Sequence, residues 1–147
     1  MDPGRLRALE ARLGHRFADA ERLTRALTHA SYAHEHPPTA DQEPLAFVGD
    51  AALGLVVAEW LLAQTPAASV GVLTPARAEL VSGANLARWA SALELGALVQ
   101  LGRGEDLSGG RARESILATT LEAVLGAVYL EAGIDGVRRM VARLAGW

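Results

Sequence analysis

The chain has 147 residues, a formal net charge of −3 and no Cys, which excludes a disulfide framework and a thiolate metal site. Half of the residues are hydrophobic, so a core can form and general disorder is excluded. All 14 basic residues are Arg, which excludes lysine catalysis, and the acidic balance argues mildly against gripping nucleic acid by bulk charge.

The spacing of the apolar residues predicts helices nearly throughout and no useful β-strand, so the predicted class is all-α. Asp2 and Pro3 predict the start of a first helix over 5–13, and Asp19 is expected to cap a second helix. Residues 33–42 are rich in Pro and polar side chains, which predicts a loop.

Two long apolar helices dominate the rest of the pattern. The first is predicted over 44–63 and is apolar nearly all round, so it is expected to be buried on every side. Gly49 weakens this helix by about 1 kcal/mol relative to Ala, which indicates that something approaches closely there. The second is predicted over 113–131 and ends near Gly133, after which Asp135 can cap a last helix.

Shorter segments lie between these two helices. Thr74 and Pro75 predict the start of a helix that runs to Val81, and apolar spacing predicts another helix over 86–95. The Gly-rich stretch 101–110 predicts a loop. We expect a single domain over residues 1–147.

No apolar leader and no uncharged membrane-length run is visible, so no membrane contact and a cytoplasmic location are expected.

Acidic side chains inside the two long apolar helices are the first functional signal. Glu43 and Asp50 lie two turns apart on one helix face, and Glu122 lies in the second helix. Three carboxylates facing each other would bind a hard cation through oxygen. The alternative is that Glu43 is a helix-end charge and that Asp50 and Glu122 pair with Arg or cap helices.

Ordered short segments carry a resemblance to a known family. They are Leu-Gly-His-Arg-Phe at 13–17, Leu-Thr-His-Ala-Ser-Tyr at 27–32, Gln-Glu-Pro-Leu-Ala-Phe-Val-Gly-Asp at 42–50, Gly-Val-Leu-Thr at 71–74, Leu-Gly-Arg-Gly-Glu at 101–105, Ser-Gly-Gly-Arg-Ala-Arg-Glu-Ser-Ile-Leu-Ala at 108–118 and Glu-Ala-Val-Leu-Gly-Ala-Val-Tyr-Leu at 122–130. Through them the chain resembles the catalytic domain of ribonuclease III over almost its full length.

The resemblance implies an all-helical, two-fold homodimer that cuts double-stranded RNA with Mg²⁺. Aligned with the family pattern, Asp50 and Glu122 are retained metal ligands, and Glu43 matches a carboxylate that supports the site. The other two ligand positions hold Ala46 and Thr119. The usual C-terminal domain that binds double-stranded RNA is expected to be absent.

These replacements predict a catalytically impaired domain, because Mg²⁺ prefers oxygen ligands in octahedral geometry and two of four carboxylates are missing. Such a domain would bind structured RNA, or a ribosomal RNA or ribosomal protein partner, as a dimeric scaffold. The alternative is an active, Mg²⁺-dependent endoribonuclease of the single-domain, mini ribonuclease III type that processes ribosomal RNA.

The resemblance also implies roles in binding. Phe47 would insert into a cavity of the partner subunit, although an ordinary core Phe is the alternative. The Gly-rich region lies close to the RNA backbone in the family, so Arg103, Arg111 and Arg113 are expected to contact phosphates; the alternative is a solvated loop.

Overall fold

The computed structural model describes all 147 residues and confirms the all-α prediction, since its only β-type contact is an isolated bridge between Thr28 and Gln100. The α-helices are α1 (Pro3–Leu13), α2 (Ala20–Ala26), α3 (Ala30–Glu35), α4 (Glu43–Gln64), α5 (Val70–Leu80), α6 (Gly83–Ala92), α7 (Arg103–Leu107) and α8 (Glu114–Ala145), with 3₁₀ turns at Leu95–Ala97 and Gly110–Ala112.

The two long predicted helices form the centre of the molecule. α4 and α8 share the most extensive contact between any two helices, and α1, α2 and α6 complete a core cluster of 29 buried residues. The predicted stop at Gly133 is confirmed as a break within α8, where the backbone turns to φ 66°, ψ −166°. Asp135 follows the break, but its carboxylate pairs with Arg138 instead of capping a helix.

Side-chain caps explain where the first helices begin. The Asp2 carboxylate accepts a hydrogen bond from the Gly4 N–H at 2.9 Å, and Asp19 accepts one from the Glu21 N–H at 3.0 Å. Each cap satisfies a backbone donor that the first helical turn leaves free. Both predicted caps are therefore confirmed.

Two segments predicted as loops are partly helical. Residues 33–35 belong to α3, which His29 caps by accepting a hydrogen bond from the Ser31 N–H at 3.1 Å. The Gly-rich stretch contains α7, because the Glu35 carboxylate accepts the Arg103 N–H at 2.9 Å. Contacts from outside the segment supply a cap that its own sequence does not show.

The two helices between α4 and α7 begin earlier than predicted. α5 starts at Val70, so Pro75 lies inside the helix and does not open it. This arrangement is tolerated because no residue of α5 is buried, and water can satisfy the carbonyl that Pro leaves unpaired. α6 starts at Gly83, because Ser82 Oγ accepts a hydrogen bond from the Asn85 N–H at 3.2 Å.

The prediction that α4 is buried on every side is wrong for this single chain. α8 and α5 cover only part of its circumference, so Phe47 is 81% exposed and Leu55 and Leu62 are half-exposed. Val70, at the start of α5, is also exposed and lines a small cavity together with Leu62. We call Phe47, Leu55, Leu62 and Val70 the exposed apolar strip.

By length and composition alone, α4 and α8 are apolar enough to cross a membrane, which the sequence analysis did not anticipate. This is weak evidence, because the core helices of a soluble protein meet the same criteria. Here the two helices pack against each other and supply most of the core.

Candidate functional site

A close crossing of α4 and α8 positions the candidate site. A Cβ atom on Gly49 would lie 1.7 Å from the Glu122 carbonyl oxygen, and one on Gly126 would lie 1.9 Å from the Leu45 carbonyl oxygen. Only glycine at both positions lets the two backbones touch in this way. The predicted close approach at Gly49 is confirmed, and it places Asp50 next to the helix turn that carries Glu122.

The groove beside this crossing collects the residues that the sequence singled out. It is shallow and largely open to solvent, with a volume of about 310 Å³. The residues that line it are Glu43, Ala46, Phe47, Asp50, Thr119 and Glu122.

None of the three groove carboxylates forms an ion pair with an Arg, although such pairing was one alternative for Asp50 and Glu122. Glu43 stands in the first turn of α4, where the helix dipole stabilises its negative charge. Burial raises the pKa of Glu122 to about 7, and the nearby Asp50 carboxylate adds to the shift. The pair is thus close enough to interact electrostatically while lacking a protein cation.

The side chains present do not fit the four-carboxylate Mg²⁺ site that the family resemblance implies. Ala46 presents a largely buried methyl group, and Thr119 presents a half-buried neutral hydroxyl. No group of three or more His, Asp or Glu side chains stands close enough together to hold a metal ion. The groove therefore offers Asp50 and Glu122 where the family resemblance implies four carboxylates.

A buried polar link lies at the start of α4, and the sequence analysis did not single it out. Gln42 is 0% exposed; its N–H donates to the Thr28 carbonyl at 2.9 Å, and its side chain meets Thr120 Oγ at 3.2 Å. The Thr120 hydroxyl has one hydrogen, and it donates that hydrogen to the Ile116 carbonyl at 2.7 Å. The Gln42 amide is therefore best satisfied when its NH₂ group faces the Thr120 oxygen. This link ties α4 to α8 one turn before Ala46.

The arginines expected to contact RNA differ in the ion pairs and hydrogen bonds that they form within the chain. Arg111 forms a salt bridge with Asp106 at 2.9 Å and donates to the carbonyls of Gly96 and Val99 at 3.1 and 2.7 Å. Arg113 pairs with the Glu105 carboxylate. The Arg103 side chain forms no ion pair, so its guanidinium is the one most available to a phosphate. RNA contact by all three stays a prediction.

Comparisons with known proteins agree with this architecture. Residues 19–145 match the family model described as Ribonuclease-III-like. The chain is 48% identical over 141 residues to Ribonuclease 3 of Cereibacter sphaeroides, covering 96% of this chain and 61% of that protein. It is 48% identical over 136 residues to Ribonuclease 3 of Streptomyces coelicolor, covering 92% of this chain and 49% of that one. The chain thus spans about half to three-fifths of the length of these relatives.

Solved structures give the same result. The nuclease domain of ribonuclease III from Campylobacter jejuni superposes with a TM-score of 0.90 at 36% identity, over 98% of this chain and 94% of that one. A second structure of that domain gives a TM-score of 0.89 at 37% identity, over 95% and 94% of the two chains, and is described as flexible in a region involved in dimer formation.

Proposed function

The chain belongs to the ribonuclease III family, and from that premise we propose that it is a dimeric domain that binds double-stranded or structured RNA while cleaving it poorly or not at all. The observation that carries the proposal is the groove, in which Ala46 and Thr119 leave Asp50 and Glu122 as the only interacting carboxylates. Family members need the cation to activate water and to stabilise the leaving oxygen. A site that holds the cation weakly loses both effects.

Dimer formation is supported by the exposed apolar strip. Phe47 is 81% exposed, and Leu55, Leu62 and Val70 extend the apolar surface along α4 and onto α5. Large exposed apolar patches on soluble domains commonly mark interaction surfaces. A second copy, related by a two-fold axis, would present the same strip and bury both.

An active endoribonuclease is the second candidate, and the relatives favour it. Proteins 44% to 48% identical to this chain carry the name Ribonuclease 3, and Asp50 and Glu122 are both present and close enough to interact. A mini ribonuclease III type of activity, a ribosomal RNA or ribosomal protein partner and a cytoplasmic location all stay predictions.

A cleavage assay on long double-stranded RNA, in Mg²⁺ and in Mn²⁺, tests the proposal. We expect little cleavage by the wild-type chain and recovered cleavage by the double variant Ala46→Glu with Thr119→Asp, which restores both missing carboxylates. Either single change is expected to restore little, because groups that act as a unit are non-additive. Adding Asp50→Asn to the double variant is the control for contaminating nuclease, and it should abolish cleavage.

Robust cleavage by the wild-type chain would overturn the impairment and leave the active enzyme as the function. A double variant that is stabilised by Mg²⁺ but does not cleave would indicate that the defect lies in RNA binding and not in the missing carboxylates.

A further inference from the structure

Helix α5 packs less firmly than the other helices of similar length. It has 11 residues and none of them is buried, whereas α1 with 11 residues buries two and α6 with 10 residues buries three. We propose that α5 is only marginally stable in a single chain and becomes fully ordered when a second copy covers it. The inference rests on the proposed dimer and adds to it a helix whose folding is coupled to assembly.

The sequence of α5 favours a helix poorly. Gly71 and Pro75 lie inside it, and Gly and Pro are the residue types with the lowest helix propensity. Pro75 has no N–H, so the Gly71 carbonyl loses the donor that a regular helix would supply. Ser69 precedes the helix, but its hydroxyl does not cap it. Because a helix of 11 residues is marginal in water even with favourable residues, α5 depends on contacts from outside.

The rest of the chain supplies few such contacts. Leu73, Ala76 and Leu80 form the inner face of α5, and each of them is only half-buried. No ion pair involves α5. A side chain from another element bonds to the helix at its last residue, where the Asn85 amide donates to the Leu80 carbonyl at 2.7 Å. Weak attachment of this kind is typical of segments that open locally.

The uncovered side of α5 continues the exposed apolar strip, which points to a second copy as the missing contact. Val70 and Val72 are 77% and 60% exposed. Val70 and Leu62, both in the strip, line a cavity of about 230 Å³ between α4 and α5, so the packing there is incomplete. A second copy that buries the strip about a two-fold axis would cover this cavity and press α5 against α4.

Assembly would then include the free-energy cost of ordering α5. If only a fraction of single chains has α5 folded, the apparent dimer Kd is raised by at least the inverse of that fraction. A change that stabilises the helix without altering the strip should therefore tighten the dimer. Pro75→Ala is such a change, because Pro75 is exposed and does not line the cavity with Val70 and Leu62.

Hydrogen exchange measured by mass spectrometry tests whether assembly orders α5. The wild-type chain is compared with Phe47→Ala at a concentration where ultracentrifugation finds the first dimeric and the second monomeric. Amides of residues 73–80 are expected to exchange at least about tenfold faster in Phe47→Ala. Amides of α6 are the matched control and should agree within about threefold, because Leu86, Trp89 and Ala90 bury that helix within one chain.

Sedimentation of Pro75→Ala provides the second test. Its dimer Kd is expected to be at least about threefold lower than that of the wild type. Adding Pro75→Ala to Phe47→Ala should also slow the exchange of α5 in the monomer. Pro66→Ala is the control, because Pro66 is exposed in the turn before α5 and its replacement should leave the dimer Kd unchanged.

The possible outcomes separate the two proposals. If α5 exchanges as slowly in monomeric Phe47→Ala as in the wild-type dimer, the inference is overturned while the dimer stands. An unchanged dimer Kd in Pro75→Ala also overturns it, because α5 would then be folded in the single chain already. A wild-type chain that stays monomeric overturns the proposed dimer, and the inference with it.

Discussion

The two sides of the α4–α8 crossing differ in how closely they follow the family pattern. On the packed side, Gly49 and Gly126 retain a backbone contact that leaves no room for a Cβ atom. On the groove side, Ala46 and Thr119 stand where the family resemblance implies carboxylates. The packing that builds the site and the charges that would bind a cation are therefore separate requirements on the same two helices.

The packed side should be the most sensitive to change. We expect Gly49→Ala to lower the free energy of unfolding by about 3 kcal/mol or more, because its Cβ would overlap the Glu122 carbonyl oxygen and force the helices apart. Thermal or urea unfolding measures the effect. The matched control is Gly54→Ala in the same helix, where a Cβ meets no atom within 4 Å and should be neutral or stabilise by up to about 1 kcal/mol. Equal losses in both variants would show that helix propensity, not the crossing, dominates.

The outward face of α4 should control assembly rather than folding of one chain. We expect Phe47→Ala to weaken dimerisation by about 2 kcal/mol, or roughly thirtyfold in Kd, because a large exposed aromatic residue typically anchors an interface. Analytical ultracentrifugation at micromolar concentration measures it, and the melting temperature should lose its dependence on concentration. Leu107→Ala is the control, since Leu107 is equally exposed on α7 but lies outside the exposed apolar strip. A wild-type chain that is monomeric at these concentrations would contradict the proposed dimer.

Much of the packed side could be predicted from the sequence. Continuous apolar periodicity and Gly133 at the stop are local signals, and they located α4 and α8 well. Helix α7 could not be predicted, because the Glu35 carboxylate that caps it lies far away along the chain. The exposed side of α4 was mispredicted because periodicity shows that a face is apolar, but not which chain covers it.

The groove side was predictable only in part. The positions of Asp50 and Glu122 within apolar helices suggested a shared site, and the family resemblance identified Ala46 and Thr119 as replacements. Gln42 was missed as a link beneath the site, because the burial of a polar side chain arises from tertiary contacts that no local pattern records.

The groove side should also give the chain a pH-dependent stability. The pKa of Glu122 is raised from 4.5 to about 7, so the folded state favours the protonated form. This stabilisation is fully present below pH 4.5 and is lost as the pH rises through about 7. Glu122 is only half-buried, so solvent screening limits this contribution to about 1–2 kcal/mol.

Glu122→Gln mimics the protonated side chain. Its free energy of unfolding should therefore be about 1–2 kcal/mol higher than that of the wild type at pH 8, and this difference should shrink toward pH 5. Urea unfolding at several pH values measures this difference. Glu79→Gln is the control, because Glu79 is exposed on α5 and lies outside the groove. A difference between Glu122→Gln and the wild type that does not change with pH would exclude this origin.

The smallest expected effect is that of Mg²⁺ on the wild-type chain, and it bears most directly on the lost carboxylates. A ligand present at or below its Kd stabilises the folded state by at most about 0.4 kcal/mol, which raises the melting temperature of a chain of this size by less than about 2 °C. We expect no more than that in millimolar Mg²⁺, because Asp50 and Glu122 alone hold the ion weakly.

The variant Ala46→Glu with Thr119→Asp should behave in the opposite way: like-charge repulsion destabilises it without metal, and Mg²⁺ restores the loss. The variant Ala46→Gln with Thr119→Asn should remain insensitive to the ion. If Mg²⁺ raises the melting temperature of the wild-type chain by several degrees and Asp50→Asn removes that rise, two carboxylates are enough to hold the ion. Mg²⁺ binding would then tolerate the replacement of groove carboxylates far better than folding tolerates changes in the packing at Gly49.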